Sequence, residues 1–182
     1  MKNNNIRYFL ILLMVALNTG CDQVSKIIVR DKVDYHEQIS IIDNHFILTK
    51  VENTGAFLSA GNDLPYAIRF IVLSILPIIV LGFGLYYLLV KQNLPKIMQI
   101  GMCFLIGGGI GNIIDRLLYG SVTDFLHIDF GLFRTGIFNL ADVSIMIGIG
   151  ILIINSIKQK AFINISAGET PTDRQINPKN KL

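Results

Sequence analysis

The chain has 182 residues, of which 52% are hydrophobic and only 16% are charged, and its formal net charge is +3. An ordinary soluble domain has about 25% charged residues, so this composition excludes a disordered chain, a basic arm for nucleic-acid binding and a disulfide scaffold. The length fits about one domain. Both cysteines, Cys21 and Cys103, lie in apolar runs, and we interpret them as small buried hydrophobic residues. The composition therefore predicts a membrane protein.

Four apolar segments have the length of about 17–25 residues that is needed to cross a bilayer as a helix. The first is long enough only if its helix continues through Asp22 and Lys26, whose i,i+4 spacing favours an ion pair. A cleaved signal peptide ending at Gly20-Cys21 is the alternative, but a secreted lipoprotein has no need of three further spans. Pro77 predicts a kink in the second span. The predicted spans cover about 8–28, 68–90, 97–117 and 137–157.

Basic residues are concentrated in alternate connecting segments. The amino end, the loop between the second and third spans and the carboxyl tail hold nine basic residues and two acidic ones, whereas Asp22–Tyr66 holds four basic and seven acidic ones. Because basic segments stay in the cytoplasm, both termini are predicted to be cytoplasmic, with outer loops at about 30–66 and 119–136. Residues 1–157 are predicted to form one membrane domain, followed by a disordered cytoplasmic tail at 158–182.

The outer loops contain short β patterns. Ile39–Ile42 and Phe46–Val51, separated by Asp43-Asn44, predict a β-hairpin, and the alternation over Phe125–Phe130 predicts one more short strand. The predicted fold class is therefore an all-α membrane protein with four transmembrane helices and a small extracytoplasmic β-sheet or hairpin.

Two carboxylates are predicted to lie at the same outer membrane depth. Asp124 follows the third span and Asp142 lies just inside the fourth, and these antiparallel spans share an outer loop. Two acids that share a site cannot easily both ionise, so one can activate a water while the other protonates a carbonyl. Two simpler interpretations remain open: Asn139 and Asp142 as a helix cap, and Asp124 as an ordinary loop residue.

Other polar and small residues surround the end of the third span. Asp115 and Arg116 predict a structural ion pair, with Asn112 bonded to one of them. The glycines at Gly107–Gly109 and Gly111 are typical of close packing between membrane helices. The three histidines have no ligand spacing, so no metal site is predicted.

Four blocks of this sequence resemble the bacterial lipoprotein signal peptidase family, also called signal peptidase II. Their order and spacing agree with the family from residue 6 to about residue 157. The second block departs from the family's usual pattern N-x-G-A-A-F by one missing small residue. The blocks are DQVSK at 22–26, NTGAF at 53–57, GGGIGNIIDRLLYGSVTDF at 107–125 and FNLADV at 138–143.

The resemblance implies an aspartic endopeptidase of the cytoplasmic membrane. We further expect a monomer whose active site lies at the periplasmic face and which uses no metal or cofactor. It would cut prolipoproteins on the amino side of a diacylglyceryl-modified cysteine, in contact with membrane lipid. The family's catalytic aspartates correspond to Asp124 and Asp142. The resemblance assigns a role in orienting the two aspartates and the substrate to Asp22, Lys26, Asn53, Gly55, Asn112, Asp115, Arg116 and Asn139.

Two other hypotheses follow from the residues alone. A small four-span transporter would place ionisable groups along a path through the membrane, whereas the acids here fall in the outer half or beyond. A structural membrane protein would use the same acids only as helix caps.

Overall fold

The computed structural model describes residues 2–42, 45–56, 61 and 64–168. Its elements are α1 (Lys2–Lys32), β1 (Ile39–Ile42), β2 (Phe46–Asn53), α2 (Tyr66–Phe70), a π-helical turn (Ile71–Ile75), α3 (Leu76–Val90), α4 (Lys96–Tyr119), β3 (Val122–Ile128) and α5 (Leu140–Gly168).

The prediction of four membrane spans is confirmed. Within the described ranges, four helical segments are long and apolar enough to cross a bilayer: Asn4–Lys32, Tyr66–Val90, Lys96–Tyr119 and Leu140–Gln159. Two ends differ from the prediction: α1 is one helix from Lys2 to Lys32, and α5 continues to Gly168, past the predicted end at 157. The predicted tail therefore begins within a helix, and its residues 169–182 lie outside the described part.

The cysteine prediction is correct for one residue only. Cys103 is buried where α4 packs on α1, but Cys21 is exposed on the surface of α1 and the prediction of its burial is wrong. An apolar run does not say which side of a membrane helix faces its neighbours, because lipid accepts hydrophobic residues as readily as a core does.

The second span changes its helical geometry immediately before Pro77. A π-helical turn occupies Ile71–Ile75, and the N–H of Leu76 donates to the carbonyl of Ile71 five residues earlier. Proline lacks an N–H and crowds the preceding turn, so the regular ladder cannot pass through it unchanged. The irregularity predicted at Pro77 thus takes the form of a wider turn.

Helix α4 lies at the centre of the bundle, and its glycines let the other helices approach it. A Cβ atom on Gly107 would lie 2.7 Å from Asn18 of α1, and one on Gly108 would lie 2.4 Å from the Ala141 carbonyl of α5. A Cβ atom on Gly109 would lie 2.4 Å from a Leu81 methyl group of α3. The close-packing role predicted for these glycines is confirmed, and each one serves a different helix.

The strands form one antiparallel sheet in the order β1-β2-β3. The hairpin prediction is confirmed by the pairing of β1 with β2, although its Asp43-Asn44 turn lies outside the described residues. Strand β3 begins at Val122, three residues before the predicted start, so Asp124 is in a strand and not in a loop. Val29 and Val33 at the end of α1 pack against Phe125 and hold the sheet on the helical bundle.

Helix α5 offers a matched pair of glycines that tests the packing. A Cβ atom on Gly148 would lie 2.7 Å from the Gly101 carbonyl of α4, whereas one on Gly150 has no atom within 4 Å. We expect Gly148→Ala to lower the free energy of unfolding by about 1–3 kcal/mol through overpacking. Gly150→Ala should leave it unchanged or slightly higher.

Thermal unfolding in detergent measures this difference through labelling of the buried Cys103 thiol, with Cys21 replaced by serine. Equal unfolding temperatures for the two alanine variants would contradict the close contact between α4 and α5.

Candidate active site

A cluster of charged side chains is buried where α1 meets α4. The Lys26 ammonium lies 2.8 Å from Asp22 and 3.2 Å from Asp115, and all three side chains are fully buried. Arg30 lies 2.9 Å from the same oxygen of Asp115, and Gln23 donates to the other one at 3.0 Å. Two carboxylates and two cations thus neutralise each other, and of the four only the Arg30 side chain is partly exposed. Such burial is tolerated only when every charge has a partner.

The ion pair predicted between Asp115 and Arg116 is wrong. Asp115 faces α1, whereas the Arg116 guanidinium donates from Nη2 to the Gly55 carbonyl at 3.0 Å. Consecutive helical residues point about 100° apart, so neighbours in sequence bind different partners. Asn112, predicted to bond to Asp115 or Arg116, bonds instead to Lys26, Asp142 and Asn139.

The charged cluster also fixes the start of β3. The backbone N–H of Thr123 donates to Asp115 at 3.2 Å, and Arg30 donates to the Thr123 hydroxyl at 2.8 Å. Thr123 immediately precedes Asp124, so two membrane helices determine where that carboxyl lies. Sequence reasoning missed Gln23, Arg30 and Thr123. The spacing of Asp22, Lys26 and Arg30, four residues apart on one helix face, was the signal that could have identified Arg30.

Asn139 links the two candidate catalytic carboxyls. Its Nδ2 donates to Oδ1 of Asp124 at 2.6 Å, and its Oδ1 accepts from the Asp142 N–H at 3.0 Å. Its own backbone N–H donates to Oδ2 of Asp142 at 3.2 Å. The last two bonds form a reciprocal cap at the start of α5, so the capping interpretation of Asn139 and Asp142 is confirmed. Both carboxyls therefore bond to the fully buried Asn139, Asp124 to its side chain and Asp142 to its backbone N–H.

Lys26 determines how the Asn112 amide is turned. The ammonium donates to Oδ1 of Asn112 at 2.9 Å, so Nδ2 is the atom that donates to Oδ1 of Asp142, also at 2.9 Å. An ammonium has no acceptor, and the reverse amide orientation would place two donors against each other. Asp142 consequently receives a hydrogen-bond donor on each oxygen, from Nδ2 of Asn112 and from the backbone N–H of Asn139.

The loop after β2 completes the surroundings of Asp124. Nδ2 of Asn53 donates to Oδ2 of Asp124 at 3.0 Å and to the Ala56 carbonyl at 3.1 Å. Oδ1 of Asn53 accepts from the Gly55 N–H at 3.0 Å and forms a tight turn. All the site residues predicted from the sequence therefore belong to one connected set of hydrogen bonds and ion pairs; Phe57 of the NTGAF block lies outside the described residues.

Asp124 is an unusually basic carboxyl. Only 4% of the residue is exposed, and this burial is the main cause that raises the pKa of Asp124 from 3.8 to about 6. The negative charge of Asp142 also raises this pKa, while the hydrogen bonds from Asn53 and Asn139 lower it. The effect of Asp142 shows that the two carboxyls interact electrostatically. A pair of this kind can hold one proton near neutral pH.

Two clefts of different character reach the two carboxyls. A cleft of about 380 Å³ between the π-helical turn, α3, α4 and α5 is lined by Asp142, Asn112 and Arg116 at its polar end and by apolar side chains elsewhere. A second cleft of about 310 Å³, against the sheet, is lined by Asp124 and Asn53. The carboxyls thus lie between an apolar space among the membrane helices and a more polar space beside the sheet. Within the described ranges, no three His, Cys, Asp or Glu side chains group closely enough to hold a metal ion.

Removing the charge of Lys26 should destabilise the whole molecule. In Lys26→Met, Asp22 keeps no cation and Asp115 keeps only Arg30. Breaking a buried ion pair costs about 3–5 kcal/mol, so we expect a large fall in the unfolding temperature. The double variant Asp22→Asn/Lys26→Met removes the unpaired charge and should regain part of the loss. An unfolding temperature no higher than that of the single variant would contradict this account.

The stability of the protein should depend on pH through Asp124. The folded carboxyl keeps its proton up to about pH 6, whereas the unfolded one releases it near 3.8. The folded state therefore binds more protons between these values, and the free energy of unfolding falls as the pH rises through them. The pKa difference between the folded carboxyl, about 6, and the unfolded one, 3.8, corresponds to about 3 kcal/mol of unfolding free energy.

We expect Asp124→Asn to lack this fall between pH 4 and 6 and to be more stable than the wild type at pH 7. Unfolding temperatures measured across this range test it; parallel pH profiles for the two proteins would contradict it.

Comparisons with known proteins identify the family of the chain. The family described as Signal peptidase (SPase) II matches residues 13–158. A lipoprotein signal peptidase from Maridesulfovibrio salexigens is 35% identical over 156 residues, which cover 85% of this chain and 99% of that protein. One from Streptococcus pyogenes is 34% identical over 155 residues, or 85% and 97% of the two chains.

Two solved structures of a bacterial membrane enzyme, obtained by the in meso method at 2.3 Å and 1.9 Å resolution, are both 30% identical to this chain. Their TM-scores are 0.71 and 0.70, and the matches cover 82% and 81% of this chain and 88% and 92% of theirs. Sequence and fold therefore agree, and the chain belongs to the signal peptidase II family.

Proposed function

We propose that Asp124 and Asp142 are the catalytic pair of this lipoprotein signal peptidase, an aspartic endopeptidase that removes signal peptides from prolipoproteins. The observation that carries the assignment is the Asn139 side chain, which bonds to Asp124 and to the first turn of α5 that contains Asp142. Cleavage occurs on the amino side of a cysteine that carries a diacylglyceryl group.

The two carboxyls differ in burial and in position. Asp142 lies in the first turn of α5, where Nδ2 of Asn112 and the backbone N–H of Asn139 donate to its two oxygens. Asp124 is more deeply buried, and its pKa of about 6 favours the proton on this member of the pair. Asp142 is therefore the general base and Asp124 the general acid.

The reaction needs a water between the two carboxyls. Asp142 removes a proton from this water as its oxygen attacks the scissile carbonyl carbon, and Asp124 gives its proton to the carbonyl oxygen. As the tetrahedral intermediate collapses, Asp142 gives the proton it took from water to the leaving nitrogen, the peptide bond breaks, and Asp124 takes back a proton from a hydroxyl group of the intermediate. Lys26, Asn112 and Asn139 act on the two aspartates by orienting them and do not exchange protons with the substrate.

The apolar cleft that reaches Asp142 is suited to the signal peptide. It continues into a neighbouring space of about 350 Å³ lined by Pro77, Leu81, Leu105 and other apolar residues. A hydrophobic peptide can lie there among the helices, with its scissile bond at the polar end beside Asp142. The lipid chains of the modified cysteine remain in the bilayer, which makes membrane lipid part of the substrate's surroundings.

We place both termini in the cytoplasm and the site at the outer face of the cytoplasmic membrane. The distribution of basic residues supports this orientation. Arg7 donates to the Lys91 carbonyl at 2.7 Å and to Gln99 at 3.2 Å, so the amino end of α1 adjoins the loop between α3 and α4. Both aspartates belong to one chain, so a monomer suffices. Residues 1–157 form the proposed peptidase domain.

Loss of either carboxyl should abolish cleavage without loss of the fold. We expect Asp124→Asn and Asp142→Asn to lower kcat/KM by at least about 10³-fold, because general acid and base each contribute about 10²–10⁴-fold. Asp129→Asn is the matched control, since Asp129 lies just beyond β3 and pairs with Arg134 on the surface. The measurement is cleavage of a purified lipid-modified precursor by each variant.

The same assay with an unmodified precursor tests the substrate class. We expect no cleavage of the unmodified form. Wild-type activity in either Asp→Asn variant would disprove the catalytic pair, and equal cleavage of both precursors would disprove the requirement for the lipid.

A further inference from the structure

Strand β2 lines a groove that begins at Asp124. The cleft beside Asp124 contains Val51 and Asn53, and a neighbouring cleft of about 170 Å³ contains Ile47, Thr49 and Val51. The pairing of β2 with β3 shifts by one residue between Leu48 and Val51, so these side chains do not alternate regularly, and Val51 is the residue of β2 that belongs to both clefts. The two clefts also share His127 and Ile137. We call the combined space the sheet groove.

The sheet groove differs chemically from the apolar cleft among the helices. Its walls carry the hydroxyl groups of Thr49 and Thr135, the imidazoles of His36 and His127 and the amide of Gln38. These groups offer hydrogen bonds to a polar ligand and would lose solvation against an acyl chain. The groove is therefore suited to a peptide backbone and unsuited to the lipid of the substrate.

A peptide bond held between Asp124 and Asp142 must continue in two directions. The apolar cleft reaches Asp142 and takes the hydrophobic signal peptide, whereas the sheet groove starts at Asp124. The part of the substrate after the cysteine is destined for water and carries the new amino end. Its chemistry and its direction match the sheet groove.

We propose that the sheet groove binds the substrate residues that follow the modified cysteine, in an extended conformation along β2 from Asn53 toward Ile47. This inference rests on the proposed function. Six residue steps of about 3.3 Å separate these two positions, so the groove accommodates about six residues. Binding energy from this remote segment positions the scissile bond between the carboxyls.

A series of lipid-modified precursors that end one, three, six and ten residues after the cysteine tests the proposal. We expect kcat/KM to rise about ten-fold from one to six residues and then to remain constant, as one or two additional hydrogen bonds would produce. A value of kcat/KM that does not depend on the length of the precursor would contradict binding of these residues in the sheet groove. Absence of cleavage at every length would instead contradict the proposed function.

Ile47→Trp tests the far end of the groove without altering the catalytic pair. We expect this variant to cleave the one-residue and three-residue substrates like the wild type and to lose the gain at six residues. The matched control is Ile41→Trp on the neighbouring strand, because Ile41 is 52% exposed and lies in neither cleft of the groove. The control should keep the full gain. An unchanged gain in Ile47→Trp would overturn the proposal.

Photo-crosslinking gives a second measurement that does not depend on the folding of a tryptophan variant. A precursor with benzoylphenylalanine at the fifth position after the cysteine is bound to inactive Asp124→Asn, irradiated and mapped by mass spectrometry. We expect attachment to β2 or to the segment at His36–Gln38. Attachment to α3 or α5, or no attachment at all, would overturn the proposal.

Discussion

The architecture depends on one buried arrangement of charge, in which Lys26 lies between Asp22 and Asp115. None of these side chains reaches the surface. An isolated charge would be very costly in the low dielectric of a helical bundle, so each group requires the others at hydrogen-bond distance. This requirement fixes the relative position of α1 and α4. It also extends outward, because Asp22 accepts from the Ala141 N–H of α5 at 2.8 Å and Asp115 accepts from the Thr123 N–H of β3.

Glycine makes this arrangement sterically accessible. Gly111 faces Asp22 so closely that a Cβ atom would lie 2.5 Å from its carboxylate, and Gly108 allows the Ala141 carbonyl to approach α4. Polar groups that must meet inside a bundle need backbones that come close, and small residues provide this approach. The glycines and the charges are therefore parts of one structural solution. Together they bring the start of α5 and the start of β3 to the same place, where Asn139 joins Asp142 to Asp124.

Within the site, ordinary structural devices also prepare the chemistry. The reciprocal cap formed by Asn139 and Asp142 begins a helix, and the same amide donates to Asp124. The Asn53 turn shapes a loop, and its amide donates to the other oxygen of Asp124. Structural and catalytic interpretations of these residues are compatible, because the groups that fix the backbone also bond to the two carboxyls.

The sequence alone determined the four spans, the hairpin, the packing role of the glycines and the two candidate aspartates. These features follow from local length, periodicity and spacing, or from motifs whose order is visible in one dimension. It did not determine the partners of Asp115, which bonds to α1 and not to Arg116, or the exposure of Cys21. It also did not indicate the contributions of Gln23, Arg30 and Thr123.

Tertiary structure decided those points. The partners of a residue in a membrane bundle depend on the rotation of its helix, and the hydrophobic pattern hardly indicates this rotation, because the sides that face lipid and the sides that face other helices are both apolar. The same reason explains why the sequence suggested that Asp124 and Asp142 share one depth and that Asn139 orients them, whereas only the fold showed that the Asn139 amide bonds directly to Asp124. Buried polar groups need partners, so they select one rotation for each helix. This selection brings polar side chains from different spans together in one site.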